Sequence, residues 1–237
     1  MEKPFDEPSG PSSENPEMKD CERPNQPSPG FLVTFEGIEG SGKSTQLGLL
    51  ADHLIGRGQR VLKTREPGGT LLGDRVRSLL LDPAFPKIVP KAELYLILAS
   101  RAQHVAEVIR PAILEGRIVL CDRFIHATIA YQGYGRGLEI DFVEAASLPA
   151  SDQVTPRLVF LLDLDVSVAL DRLAQRGQMN RIDRERAEFH ESVRRGYLLM
   201  AEKAPRTFRR IDAARPFDVV AQEIQKEFHN RLDPQHV

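Results

Sequence analysis

Residues Gly37-Ile38-Glu39-Gly40-Ser41-Gly42-Lys43-Ser44-Thr45 set glycines, a lysine and three hydroxyls around the spacing G-x-x-x-x-G-K-[ST]. That spacing suits the cradling of a polyphosphate. Glycines let successive main-chain N–H groups turn inward around a β-phosphate, and a helix following the loop aims its positive end at the same anion. Lys43 would neutralise the β- and γ-oxygens of a nucleoside triphosphate, and Ser44 would ligate Mg²⁺. Kinases, guanine-nucleotide switches and motor ATPases all share such a loop. The chain has no Asn-Lys-x-Asp segment to read guanine, so a second, acceptor substrate accounts better for the remaining motifs.

A phosphate loop needs a strand before it and a helix after it. From Phe31 onward, short β-rich runs alternate with helix-length amphipathic segments, which predicts an α/β domain whose parallel sheet carries helices on both faces. Five strands are expected, at Phe31–Glu36, Arg60–Thr64, Arg117–Cys121, Arg157–Asp163 and Thr207–Ile211, mostly apolar because both faces are covered. Apolar residues at helical spacing predict helices over Lys43–Ile55, Gly73–Leu80, Ala92–Leu114, Val166–Arg176, Arg184–Lys203 and Phe217–Arg231. Gly56 and Gly58 suit the end of the first helix, Asp165 the N-cap of the fourth and Pro216 the opening turn of the last. Ligands of open parallel sheets bind at the carboxyl ends of the strands, so chemistry is sought in the residues just after them.

The second strand runs into Thr64-Arg65-Glu66-Pro67-Gly68-Gly69-Thr70. The third runs into Cys121-Asp122-Arg123-Phe124, with Ala130-Tyr131-Gln132-Gly133-Tyr134-Gly135-Arg136-Gly137 beyond it. Arg65 and Arg123 are guanidinium forks able to take a monophosphate bidentately, which a lysine holds less rigidly. With the phosphate loop, these segments closely resemble thymidylate kinases of the bacterial kind, in the right order and across nearly all of residues 31–231. The resemblance implies a P-loop NTPase fold with a five-stranded parallel sheet and an arginine-bearing lid. It implies ATP as phosphoryl donor with Mg²⁺, conversion of dTMP to dTDP, and a cytosolic homodimer.

It also implies roles. Arg123 would bridge donor and acceptor phosphates, Asp122 would help organise the metal, and Glu39 would contact the acceptor sugar close to that metal. Pro67 would carry a cis peptide beside the acceptor phosphate. Arg101, Thr128 and Gln132 would lie at the base edge, and Tyr131 beneath the sugar, leaving little room for a 2′-hydroxyl. Two positions depart from many relatives: Ile97 stands where a phenylalanine stacks on thymine, and Ala127 where serine is common. Ile97 can cover the ring face by dispersion without the quadrupole contribution of an aromatic. A kinase for another nucleotide or nucleoside, and a nucleotide-dependent switch without an acceptor, remain alternative readings of the same motifs.

After the fourth strand, Asp163-Leu164-Asp165 is followed by Arg172, Arg176 and Arg181, the last two flanking Gly177-Gln178-Met179-Asn180. Arginines on a flap that closes over ATP would reach the transferring phosphoryl group and stabilise its equatorial oxygens. Arg176 and Arg181 are the stronger candidates, since Arg172 lies deeper in a predicted helix. His104 and His126 are read as structural, because phosphoryl transfer depends on positioning and charge neutralisation rather than on a potent base.

Composition sets limits around this reading. A chain of 237 residues, 41% hydrophobic, supports one substantial domain. Its net charge of -2 argues against a partner such as nucleic acid, whose backbone calls for a clustered basic excess. The longest apolar runs, such as Leu158 to Leu162, are strand-sized, so no membrane segment is expected. Cys21 and Cys121 have neither paired spacing nor a nearby His for a metal site, which fits a reducing cytosol. Residues 1–29 hold seven prolines and seven acidic residues, with Phe5 the sole aromatic, and are expected to form a disordered extension. Residues 30–232 are expected to form the kinase-like domain and 233–237 a flexible end.

Overall fold

The computed structural model describes residues 29–85, 87–177 and 179–232. The extension (Pro29 apart) and the C-terminal end, for which disorder and flexibility are expected, lie outside the described residues, as do Cys21 and Gln178.

Five strands, β1 (Phe31–Glu36), β2 (Val61–Arg65), β3 (Ile118–Asp122), β4 (Leu158–Asp163) and β5 (Phe208–Asp212), form one all-parallel sheet in the order β2-β3-β1-β4-β5. β1 lies where the sequence predicts it. The other four begin one residue later, with Arg60, Arg117, Arg157 and Thr207 left as flanking residues. Every residue of β4 is buried, whereas the edge strands β2 and β5 are partly open. A strand buried at successive positions has both faces covered, which is why its sequence is continuously apolar rather than alternating. At the centre, Phe35 and Phe160 are register partners on β1 and β4, with ring centroids 5.3 Å apart.

Nine α-helices connect or cover the described strands: α1 (Lys43–Gly56), α2 (Leu71–Leu81), α3 (Pro90–His104), α4 (Arg110–Leu114), α5 (Ile125–Thr128), α6 (Ile140–Ala150), α7 (Val166–Arg176), α8 (Ala187–Lys203) and α9 (Phe217–Leu232). The helix predicted over Ala92–Leu114 is α3 and α4 joined by a π-helical stretch, Val105–Ile109. Pro111 has no N–H to donate and its ring crowds the preceding turn, so the backbone widens just ahead of it. Helices α5 and α6, and the π-helical Ile129–Gly135 between them, are absent from the sequence prediction. Gly133, Gly135 and Gly137 interrupt helical periodicity there. The cap expected at Asp165 holds, its Oδ1 accepting from Ser167 N at 3.0 Å at the start of α7, and Thr70 Oγ1, not singled out from the sequence, accepts from Gly73 N at 3.0 Å to cap α2.

Register decides which chain ends meet. Asp122 on β3 pairs with Phe35 on β1 and with Arg65 on β2. Gly37, Arg123 and Glu66 therefore leave the sheet side by side, at the carboxyl edge where a ligand is expected. No helix among the described residues is long and apolar enough to cross a membrane.

Candidate active site

The loop after β1 has the backbone its glycines require. Gly37 has φ 137°, and a Cβ there would sit 2.5 Å from the Leu162 carbonyl oxygen. Gly42 has φ 87° and enters α1 as an N-cap without a side-chain cap, so the first turn of the helix keeps free N–H groups for an anion. Lys43 Nζ donates to Ile38 O at 2.7 Å and to Ser41 Oγ at 3.3 Å, which folds the ammonium over the loop. Burial and then the nearby Arg123 push its pKa down to about 8, with Asp122 and Glu39 opposing. A cation held this way gains by meeting an anion. Ser44 Oγ donates to Asp122 Oδ2 at 2.5 Å, joining the loop to the end of β3.

Arg123 follows that strand end with φ 73°, a left-handed conformation costly for a side chain with a Cβ. Its N–H donates to Phe35 O at 3.0 Å. NH1 donates to Gly37 O at 3.0 Å and to Tyr197 Oη at 3.3 Å, and NH2 to Glu39 Oε1 at 2.8 Å. The guanidinium lies 4.7 Å from the centroid of the Tyr131 ring, whose hydroxyl donates to Glu39 Oε2 at 2.6 Å. Burial alone would raise the pKa of Glu39, yet Arg123 and Lys43 hold it below the ordinary value. Glu36, one step earlier and fully buried, accepts from Phe124 N at 2.9 Å and Tyr197 Oη at 2.9 Å. There burial prevails over the pull of Arg123, and its pKa stands at about 7.

The far wall of the cleft is tied together by buried ion pairs. Arg101 is 1% exposed. Its Nε donates to Glu66 Oε2 at 2.7 Å and its NH2 to Thr128 Oγ1 at 2.8 Å, while NH1 has no partner among the described residues. His104 sits between Glu66 Oε1 at 3.0 Å and Thr64 Oγ1 at 2.6 Å. The Glu66–Pro67 peptide is cis. Arg77 NH1 donates to Pro67 O at 3.3 Å, and Arg65 pairs with Asp74 at 3.3 Å. Burial, then the neighbouring Arg65 and Arg123, lower the pKa of Arg77. Three guanidiniums this near one another are suited to an anion. Gln132 Nε2 donates to Glu93 Oε1 at 2.9 Å.

The segment between α7 and α8 closes the cleft. Arg176 NH2 donates to Asp183 Oδ2 at 2.8 Å, and Asn180 Oδ1 accepts from Ile182 N and Asp183 N at 2.8 and 3.1 Å. Arg181 Nε donates to Leu80 O at 2.7 Å, and its NH2 pairs with Glu93. Arg172 stands apart from the other two arginines, donating to Gly40 O and Ala213 O at 3.3 Å each.

These parts enclose one cleft of about 470 Å³ with the loop residues Lys43 to Thr45 at one end and Arg101 and Gln132 at the other. The profile of the thymidylate kinase family matches residues 35–224. A thymidylate kinase of Pelotomaculum thermopropionicum is 48% identical over 86% of this chain and 95% of its own length. One from Desulfovibrio desulfuricans is 50% identical over 81% of this chain and 92% of its own. The chain belongs to the thymidylate kinase family. The crystal structure of thymidylate kinase from Ehrlichia chaffeensis superposes with a TM-score of 0.65 at 36% identity, covering 84% of this chain and 99% of the other. The P-loop NTPase-like fold of the family is thus the fold of this chain.

Within this thymidylate kinase fold, the residues singled out from sequence converge well. Glu39, Arg65, Pro67, Asp122, Thr128 and Tyr131 all line the cleft, as do Ile97 and Ala127 beside the base-edge candidates. Gly37, Ile38 and Ser41 form the back of the loop and do not line it. His126 is half-buried against the Phe208 ring, 4.7 Å between centroids, and desolvation drives its pKa down to about 4, consistent with a structural part. Sequence reasoning missed Arg77, Glu66 and Glu93. The signal was present: Arg77 shares a helical face with Gly73 and Leu80, and Glu93 shares one with Ile97, Arg101 and His104. A charged residue in the apolar stripe of a helix must have a buried partner or a ligand.

Proposed function

We propose that this cleft performs its family's reaction, transfer of the γ-phosphoryl group of ATP to dTMP to give dTDP, with a distinct task at each strand end. One arrangement carries the reading: Lys43 and the uncapped first turn of α1 share a single cleft with Arg65, Arg77, Asp122 and Arg123. A triphosphate gripped by the loop and a monophosphate held by the arginines would meet end to end there, the geometry that in-line phosphoryl transfer needs. Gly37 to Thr45 grip the donor phosphates, with Lys43 on the transferring group. Arg65 and Arg77 hold the monophosphate of dTMP, and Arg123 spans both sites, its tethers to Gly37 and Glu39 preorganising it at the point of charge development.

Ser44 and Asp122 are a hydroxyl and a carboxylate in direct contact at the cleft, a donor set suited to a hard, oxygen-preferring cation. They would hold Mg²⁺, which supplies charge neutralisation at the phosphates when bound. Arg101, Thr128 and Gln132 read the base edge, and Tyr131, pinned through Glu39, forms the floor beneath the deoxyribose. Arg176 and Arg181 act from the lid; Arg181 must leave Leu80 and Glu93 to reach a phosphoryl oxygen, so lid movement accompanies catalysis. Two copies pair through α3, where Tyr95 stands 56% exposed, and the enzyme works in the cytosol.

Initial rates with ATP and a panel of acceptors, dTMP, dUMP, the ribose analogue of dTMP, dCMP and thymidine, test the reading. The expected result is a dTDP product and a kcat/KM highest for dTMP; preference for any other acceptor would overturn the substrate assignment.

A further inference from the structure

Glu93 projects from the first turn of α3 and is 1% exposed. Its Oε1 accepts from Gln132 Nε2 at 2.9 Å and Arg136 Nε at 3.0 Å. Its Oε2 accepts from Arg136 NH2 at 3.3 Å and from Arg181 NH2. Burial would favour the protonated acid, but hydrogen bonds from Arg136, Arg181 and Gln132 and the charge of Arg136 outweigh it and hold the pKa below the ordinary value. Glu93 is therefore an ionised carboxylate, and an ionised carboxylate can only accept.

A glutamine amide has two faces of opposite polarity, and which one points where is decided by its partners. With an acceptor-only group on one side, the NH₂ of Gln132 must turn to Glu93, and its carbonyl Oε1 must turn away. No described residue donates to that oxygen, and Gln132 lines the cleft. Four residues before it, Thr128 Oγ1 accepts from Arg101, whose buried NH1 is an unpartnered donor on the same wall. The wall thus offers a donor from Arg101 and an acceptor from Gln132. A 4-keto pyrimidine presents an oxygen acceptor and an N3–H donor, the complementary pair. Cytosine presents an exocyclic amine donor and a bare N3 acceptor, which mismatches both.

The geometry points to Glu93 as a specificity-determining positioning residue: being unable to donate, it locks the Gln132 amide in the orientation that accepts from N3–H and refuses a cytosine. This rests on the assignment of Arg101, Thr128 and Gln132 as base readers. A glutamine at position 93 can donate as well as accept, so the Gln132 amide is freed to rotate and offer its NH₂ to a cytosine N3.

The test measures kcat/KM for dTMP and dCMP in the wild type and in the Glu93→Gln, Glu93→Asp and Gln132→Met variants. Glu93→Gln is expected to lower the dTMP to dCMP ratio about tenfold, the worth of one hydrogen bond, with an absolute gain for dCMP that damage to the fold cannot produce. Glu93→Asp, which still only accepts, is expected to keep the wild-type ratio even where both rates fall. If Glu93→Gln does not fold because a cation is left uncompensated, the same ratio is read in Glu93→Gln combined with Arg136→Met, which keeps contact with the Phe189 ring beneath Arg136. Gln132→Met separates the two levels of the claim. An unchanged ratio in Gln132→Met overturns the base-reading assignment itself. A ratio that collapses in Gln132→Met but holds in Glu93→Gln overturns the role of Glu93 alone.

Discussion

The two ends of the cleft are assembled from partners at very different distances along the chain. Lys43 is held by Ile38 and Ser41, five and two positions away. Arg101 is held by Glu66 and Thr128, 35 and 27 positions away, and Glu93 by Gln132 and Arg136, 39 and 43 positions away. The phosphate end is mainly a backbone conformation written into nine consecutive residues. The acceptor end is a set of buried ion pairs that exist only once the sheet has formed. The lesson is energetic as well as informational: side chains at the first end are free to serve the reaction, whereas those at the second hold the wall together while they read the substrate.

Replacing Lys43 by alanine should break the first end chemically and spare it structurally. The expected loss in kcat/KM is about 10³-fold, the scale of removing a cation aimed at a transferring phosphoryl group. Thermal denaturation is expected to be unchanged or slightly favourable, because the ammonium is buried beside Arg123 and its pKa is already pressed down to about 8. A melting temperature lowered by roughly 10 °C would show that the loop depends on Lys43 for its fold, and the contrast between the two ends would fail.

The converse holds for Glu66. Glu66→Gln removes the charge that compensates Arg101 and also touches His104, all three groups being buried. Breaking a buried pair by removing one partner costs about 3–5 kcal/mol, on the order of 10 °C in a domain of this size. Chemical denaturation checks the value. A stability within about 0.5 kcal/mol of wild type would mean the pair is not structural.

This division explains what could be read from the residues alone. Strand positions came within one residue, because apolar runs bounded by turn residues survive without tertiary information. The phosphate loop was legible because its partners are its neighbours. Helices α5 and α6 were not, since their glycine-rich approach hides the period and only packing against α3 and α8 settles it. Arg77, Glu66 and Glu93 escaped because their partners are distant in sequence: a lone charge beside apolar residues announces that a partner exists and not which one. Arg172, the weaker lid candidate on sequence, shows that proximity along the chain does not place a side chain. It sits in sequence with the lid arginines, yet its guanidinium lies on the backbone of Gly40 and Ala213.

Glu36 marks where the boundary between the two ends falls. It precedes Gly37 directly, so by sequence it belongs to the phosphate loop, but its partners are Phe124 and Tyr197, 88 and 161 positions away. Burial raises its pKa from the ordinary carboxylate value of 4.5 to about 7 against the pull of Arg123. The folded state therefore binds more protons than the unfolded chain between those two values, and stability falls as pH rises through that window, levelling off above it. Glu36→Gln removes this ionisation while keeping an acceptor for Phe124 N. The variant's stability relative to wild type should then rise between pH 5 and pH 8, by on the order of 2 to 3 kcal/mol at most, because other groups titrate equally in both proteins. Denaturant titrations of both proteins at the two pH values decide it. A difference that stays constant would mean that Tyr197 and Arg123 together stabilise the carboxylate as well as water does, and Glu36 would then belong with the ion pairs of the acceptor end rather than mark the boundary between the two.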